Sequence, residues 1–152
     1  MNARKWMMEY GVAMALTFLF AVILGQIPLF RGTAIGKLHA SDLVQCIGYG
    51  GALVIAGFGA RQLAADPPED WKWLMPYRAL ILPVTTLVIV AMSYGVLLFV
   101  GGPFLSKVGK EIYNWTFITA IVASIVWLIL SWVKKSAPLV AAMDTRKLGK
   151  AV

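Results

Sequence analysis

The chain has 152 residues, of which 60% are hydrophobic and 14% are charged, and its formal net charge is +7. Soluble domains typically carry about 25% charged residues, so this composition argues against a soluble fold and indicates a chain surrounded by lipid. The basic balance requires no nucleic acid as a partner, because Lys and Arg beside transmembrane helices fix topology and attract anionic lipid headgroups.

Four segments of the chain contain no Asp, Glu, Lys or Arg, and their lengths are 21, 18, 28 and 22 residues: 10–30, 43–60, 79–106 and 112–133. A helix that rises about 1.5 Å per residue needs about 20 residues to cross about 30 Å of hydrocarbon. We therefore predict an all-α integral membrane protein with four transmembrane helices in a compact bundle. This domain occupies residues 1–133, with spans at about 9–30, 42–63, 78–101 and 112–133.

The first span follows two basic residues, Arg4 and Lys5, as the apolar core of a secretory signal peptide also does. Its charge-free length is large for such a core, and the segment after it, GQIPLFRG, has no A-x-A-like cleavage site. We therefore expect the first span to be a retained helix.

The second span contains an apolar stretch with five glycines, IGYGGALVIAGFGARQL, at residues 47–63. Glycine is a poor helix former in water, but helices in lipid associate through close van der Waals contact, which small residues allow. Every fourth position carries a small residue, and these form a small-residue stripe: Gly48, Ala52, Ala56, Ala60 and Ala64. We predict that this stripe is a packing face, either against another helix of the same chain or between subunits of an oligomer.

Arg61 follows the last of these glycines, at the end of the second span. An arginine in this position can extend its guanidinium group into the headgroup region without any further role. The alternative is an ion pair with Glu9, which the predicted topology places at the same membrane face. Such a pair near the interface would contribute little energy and would mainly fix the register of two helices.

The second loop, ADPPEDWKWLMPYR, predicts a short helix. Asp66 precedes two prolines, which are tolerated in a first helical turn because the amides there lack partners. Tryptophans follow, and this residue type is enriched at membrane–water interfaces, so we expect the short helix to be interfacial. Tryptophans also mark both ends of the fourth span, and the predicted interface anchors are Trp71, Trp73, Trp115 and Trp132.

Polar side chains inside the spans are few. Most hydroxyl groups there can bond the backbone of their own helix and need no function. A smaller set can form interhelical hydrogen bonds or line a path through the membrane: Gln26, Gln45, Thr85, Thr86, Ser93 and Thr119.

Basic residues are distributed unevenly between the two sides of the predicted topology. Ten Lys and Arg lie in the N-terminal segment, the second loop and the C-terminal tail, and four lie in the other two loops. The positive-inside rule then predicts that both termini are cytoplasmic, in a bacterial-type inner membrane. Residues 134–152 form a basic cytoplasmic tail, which by composition should be loosely ordered.

The sequence contains few of the residues that catalytic or metal sites require. The only histidine, His39, cannot provide the paired axial ligands of a typical b-type haem, and together with the only cysteine, Cys46, it cannot complete a zinc site. Histidine and acidic residues are nearly absent from the spans, so no nucleophile has a base beside it. We predict no catalytic residue, no cofactor and no metal.

The sequence therefore favours a non-catalytic membrane protein that acts as an assembling or accessory subunit, either in a homo-oligomer or with other membrane subunits, in a bilayer with anionic lipids. One alternative is an oligomeric channel or small transporter, with the polar set above as its lining. A second alternative is a quinone- or lipid-binding accessory subunit, which rests only on the interface aromatics and Arg61.

Overall fold

The computed structural model describes residues 2–148, without the side chains of Lys72, Trp73, Pro76 and residues 135–148. The described chain is nearly all helical. Its elements in order are α1 (Ala3–Gln26, with a π-helical turn at Met7–Gly11), α2 (Pro28–Gly32), β1 (Ala34–Ile35), β2 (Leu38–His39), α3 (Ala40–Ala65), a 3-10 helix (Glu69–Tyr77), α4 (Arg78–Gly101) and α5 (Lys107–Leu148).

Four helices are long and apolar enough to cross a membrane, which confirms that part of the predicted fold. They are α1, α3, α4 and the portion Lys107–Lys134 of α5. α1 and α5 begin several residues before the predicted spans, because charged residues such as Lys5 and Lys107 continue the helix beyond the charge-free segment. The predicted short helix of the second loop is present as the 3-10 helix that begins at Glu69.

Prolines set two of the helix ends. The residue before a proline is pushed out of the helical region by the proline ring. Ile27, which precedes Pro28, accordingly has an extended backbone and ends α1. Asp66, which precedes Pro67, leaves the helical region and ends α3. The tight turn of the β1–β2 hairpin uses Gly36 at a φ of 64°, where a side chain would be disfavoured.

The four long helices form an open row. Extensive contacts join α1 to α3, α3 to α4 and α4 to α5, and among the described residues no other pair of these helices packs extensively. The prediction that these helices form a compact bundle is therefore wrong.

The interior of the row consists largely of small side chains. The buried apolar residues between the helices include Ala21, Ala52, Ala60, Leu80 and Val96. Large apolar side chains instead lie on the outside of all four helices; Trp115 on α5, for example, is 68% exposed. The backbones can thus approach closely, as expected when van der Waals contact drives association.

The segment predicted as a loosely ordered tail is helical over most of its length. α5 continues without interruption through Lys134 to Leu148, so the tail extends the fourth long helix. Residues 149–152 lie outside the described part of the chain.

Candidate functional site

The contact between α1 and α3 is built on glycines. A Cβ atom added to Gly48 would lie only 3.1 Å from the Cα atom of Ala21 on α1 and closer still to its Cβ atom. An added Cβ at Gly59 would lie 3.1 Å from the ring and the Cβ atom of Tyr10. The side chain of Gln45 lies directly over Gly25 in the same way. At Gly48 and Gly59 the neighbouring atoms belong to the backbone or are attached close to it, so these two glycines fix how closely the two helices approach.

The predicted small-residue stripe thus has at least one partner within the chain. Gly48 faces Ala21 of α1, and Ala52 and Ala60 are buried. Ala56 and Ala64 are half-buried. Of the two interpretations of the stripe, contact between helices of the same chain is the one that the position of Gly48 supports.

A second set of glycines opens a groove between α3 and α4, which we call the glycine groove. Gly50 and Gly57 lie on the α4 side of α3, and Cβ atoms added to them would lie 3.9 Å from Val96 and 3.3 Å from Ile89. The groove has a volume of about 310 Å³ and is lined by Cys46, Gly50, Leu53, Val54, Gly57, Ile89, Ser93, Val96 and Leu97. It is an apolar crevice with a thiol and a hydroxyl group in its wall.

At one end of the row, aromatic side chains tie α1 to α3. The indole nitrogen of Trp6 donates to the carbonyl oxygen of Gly59 at 3.0 Å, and the hydroxyl of Tyr10 donates to Oε1 of Gln62 at 2.6 Å. Trp71 of the 3-10 helix packs edge-on against Trp6, with 5.8 Å between ring centroids. Sequence reasoning missed the roles of Trp6 and Tyr10, although their spacing of four residues already places them on one face of a helix.

We call this end of the row the basic end, because the N-terminus, the second loop and Lys134 lie here. Arg78 at the start of α4 turns back to the end of α3. Its Nε donates to the carbonyl oxygen of Ala64, and its Nη2 donates to that of Ala65 at 2.7 Å. These carbonyls carry the negative end of the helix dipole, which a cation stabilises.

Arg31 makes the same kind of contact at the opposite end of the row. Its Nε donates to the carbonyl oxygen of Gly25 at 3.3 Å, near the end of α1, and its Nη2 donates to Oε1 of Gln26 at 2.7 Å. An arginine thus turns back onto the final carbonyls of α1 and of α3. Neither role follows from the sequence, because it depends on the path that each loop takes.

Among the open grooves at the basic end, the two larger ones contain charged residues and differ in their electrostatics. The first, of about 670 Å³, lies between α1 and α3 and brings together Glu9, Arg61 and Asp66. It therefore places the predicted partners Glu9 and Arg61 in one groove, where both are exposed; their ion pair stays a prediction.

The second of these grooves lies between the end of α3, the start of α4 and α5, and we call it the cationic groove. It has a volume of about 720 Å³, and the described residues that line it are Ala64, Met75, Arg78, Ala79, Leu82, Ser131 and Lys134. Two of these described residues are cations and none of them is a carboxylate, so the described lining, unlike that of the first groove, has a single sign of charge.

An aromatic cluster holds α5 to α4 towards the opposite end of the row. The hydroxyl of Tyr113 donates to the carbonyl oxygen of Tyr94 at 2.5 Å, and the hydroxyl of Tyr94 donates to Oδ1 of Asn114 at 3.0 Å. Phe117 packs against both tyrosine rings, at centroid distances of 4.8 and 5.5 Å. These side chains fix the position of the last helix in the row.

The polar residues predicted as a lining lie on separate surfaces. Gln26 accepts from Arg31 and Gln45 covers Gly25, both at the end opposite the basic end. Ser93 lines the glycine groove, whereas Thr119 lines a shallow depression on α5 that Trp115 also borders. Thr85 and Thr86 are half-buried in α4. The structure therefore does not bring the whole set together along one path in a single chain.

The predicted interface anchors have different surroundings. Trp71 contacts Trp6, while Trp115 and Trp132 are 68% and 55% exposed on α5. The side chain of Trp73 lies outside the described residues.

No protein-family model, no curated protein and no solved structure matches this chain. Among the side chains that the structure describes, no group of three or more His, Cys, Asp or Glu is arranged to hold a metal ion.

Proposed function

We propose that this protein is a non-catalytic integral membrane subunit that assembles with copies of itself or with other membrane proteins through the glycine groove. The groove carries the proposal, because Gly50 has only Val96 within 4 Å of an added Cβ, at 3.9 Å, and so leaves part of the backbone of α3 accessible beside α4. A partner helix can approach a backbone closely only where side chains are this small. The small-residue stripe, by contrast, is used at Gly48 for contact with α1.

The roles of the polar side chains support a structural function. Trp6, Tyr10 and Tyr113 each donate a hydrogen bond to a neighbouring helix, and Arg31 and Arg78 bond the carbonyls at helix ends. These groups hold the row together. The channel alternative has less support, because the proposed lining groups lie on separate surfaces of the chain.

The proposal extends to location and orientation. We propose a bacterial-type inner membrane with the basic end of the row in the cytoplasm. The excess of Lys and Arg at this end supports the orientation through the positive-inside rule.

Native mass measurement in lipid nanodiscs tests the assembly. We expect the wild-type protein to form a defined homo-oligomer or to carry unrelated subunits in a fixed ratio. Gly50→Leu fills the groove and should convert the assembly to monomers. Gly95→Leu is the matched control, because Gly95 is exposed on α4 and an added Cβ there has nothing within 4 Å. A monomeric wild-type protein without partners, or equal behaviour of the two variants, would overturn the proposal.

Cys46 offers a second test, because it is the only cysteine and it lines the groove. If the partner is a second copy, a short bis-maleimide should join two chains through this thiol, and Cys46→Ser should abolish the product. If the partner is another subunit, Cys46 should react with a small maleimide more slowly in the complex than in the dispersed chain. Equal reaction rates without any cross-linked product would contradict the location of the interface.

A further inference from the structure

The cationic groove has the charge and the depth profile of a site for an anionic amphiphile. Arg78 and Lys134 lie at its outer end, on helices that run in opposite directions. Leu82 lies one turn further into α4 than Arg78, and Ser131 lies about one turn further into α5 than Lys134, so both are about 5 Å further from the basic end of the row. On α4 a cation at the outer end is thus followed by an apolar side chain one turn further in. On α5 a cation is followed in the same way by a hydroxyl group.

The guanidinium group of Arg78 is held in place and still has donors to offer. Its Nε and Nη2 bond the carbonyls at the end of α3, which fixes its orientation at the groove. A guanidinium group has five N–H donors, and these two bonds use two of them, so three remain. A fixed cation with free donors suits a phosphate oxygen, because little side-chain entropy is lost on binding.

Lys134 and Ser131 complete the polar part of the groove from α5. They are three residues apart and therefore lie on the same face of the helix. Lys134 is exposed, whereas Ser131 is half-buried below it. The apolar side chains of Met75 and Leu82 also line the groove.

We propose that the cationic groove binds the headgroup of an anionic phospholipid, with the phosphate between Arg78 and Lys134, the glycerol region near Ser131 and an acyl chain along Leu82. Among the side chains that the structure describes, no carboxylate lines it, which distinguishes it from the groove that holds Glu9 and Asp66. The apolar wall below the cations favours a lipid over a free anion. The site lies within one chain and does not depend on the proposed assembly.

The test uses the delipidated full-length protein in a neutral detergent, titrated with phosphatidylglycerol, and native mass spectrometry measures the Kd of the first bound lipid. Lys134→Gln should weaken this binding about tenfold, as expected for loss of a hydrogen bond to a charged group, and Ser131→Ala about threefold. Lys5→Gln is the matched control, because it removes one exposed cation from the same end of the row, outside the groove. A neutral micelle has no anionic surface for Lys5 to attract, so Lys5→Gln should leave the Kd unchanged.

Two further measurements define the ligand. Phosphatidylcholine should bind more weakly than phosphatidylglycerol, and Lys134→Gln should remove most of this preference. Inorganic phosphate in large excess should fail to displace phosphatidylglycerol from the wild-type protein. Equal effects of Lys134→Gln and Lys5→Gln would show that no local site exists, and displacement by phosphate would show a free-anion site instead of a lipid site; either result overturns the proposal.

Discussion

Replacement of Gly48 by alanine should separate α1 from α3. The added Cβ atom would lie 3.1 Å from the Cα atom of Ala21, and its distance to the Cβ atom of Ala21 would be far below 3.0 Å, which real Cβ atoms essentially never show. Favourable contact between carbon atoms begins at about 3.5 Å, and the Cβ atom of Ala21 is the nearer of the two, so α1 must move outwards by about 1 Å at this level. Neither atom of Ala21 can rotate away, because both belong to the backbone or are attached directly to it.

The cost can be estimated from that displacement. A gap of about 0.5–1 Å forfeits a quarter to a half of each contact energy, and inserting a methyl group into a packed interior typically costs about 1–3 kcal/mol. Alanine substitutions at two other glycines should have smaller effects on stability. At Gly25 the added atom meets the flexible amide of Gln45, which can move, so Gly25→Ala should cost less. At Gly50 it lies 3.9 Å from Val96, an ordinary contact, so Gly50→Ala should be neutral or slightly stabilising.

Reversible unfolding in mixed micelles, followed by tryptophan fluorescence during an SDS titration, measures the free energy of unfolding of each variant. We expect stability to fall in the order Gly50→Ala, Gly25→Ala, Gly48→Ala. Equal stability of Gly48→Ala and Gly50→Ala would refute the reasoning, because it would mean that α1 does not approach Gly48 as closely as the structure shows.

Three further substitutions can be tested by the same titration. Arg78→Lys should cost about 1 kcal/mol, because lysine cannot reproduce the two-point contact with the final carbonyls of α3; unchanged stability would show that the contact contributes nothing. Trp6→Phe keeps an aromatic ring but removes the hydrogen bond to Gly59, so the free energy of unfolding should fall by about 1 kcal/mol. An unfolding midpoint equal to that of the wild-type protein would contradict this expectation. Tyr113→Phe should cost only about 0.6 kcal/mol, the average for interhelical hydrogen bonds in membranes, and a loss of several kcal/mol would mean that the hydroxyl does more than bond α4.

The number and approximate location of the long helices could be predicted from the sequence, because each long helix overlaps for most of its length with one of the four segments that carry no charged residue. The close packing at Gly48 could also be anticipated, because lipid gives helices no other reason for small residues at regular spacing. Both predictions depend on the composition of one segment at a time.

The arrangement of the helices could not be predicted in the same way. Each long helix is apolar on all sides, so its sequence does not mark which face meets a neighbour, as an amphipathic helix in water would. The contacts of Arg31 and Arg78 were missed for a related reason, since each arginine reaches back across a loop to carbonyls six to fourteen residues earlier. The cationic groove combines three helices and is visible only when they are placed together.

The open row has a consequence for the order in which the protein forms during synthesis. Each long helix packs extensively against the one that precedes it in the chain, so the contacts of α1 and α3 can form before α4 has left the ribosome. No early helix needs a partner that is far away in the sequence. The loops that must close are short, which favours fast folding. Tertiary packing can therefore proceed in chain order, one helix after another, and α5 packs last against α4.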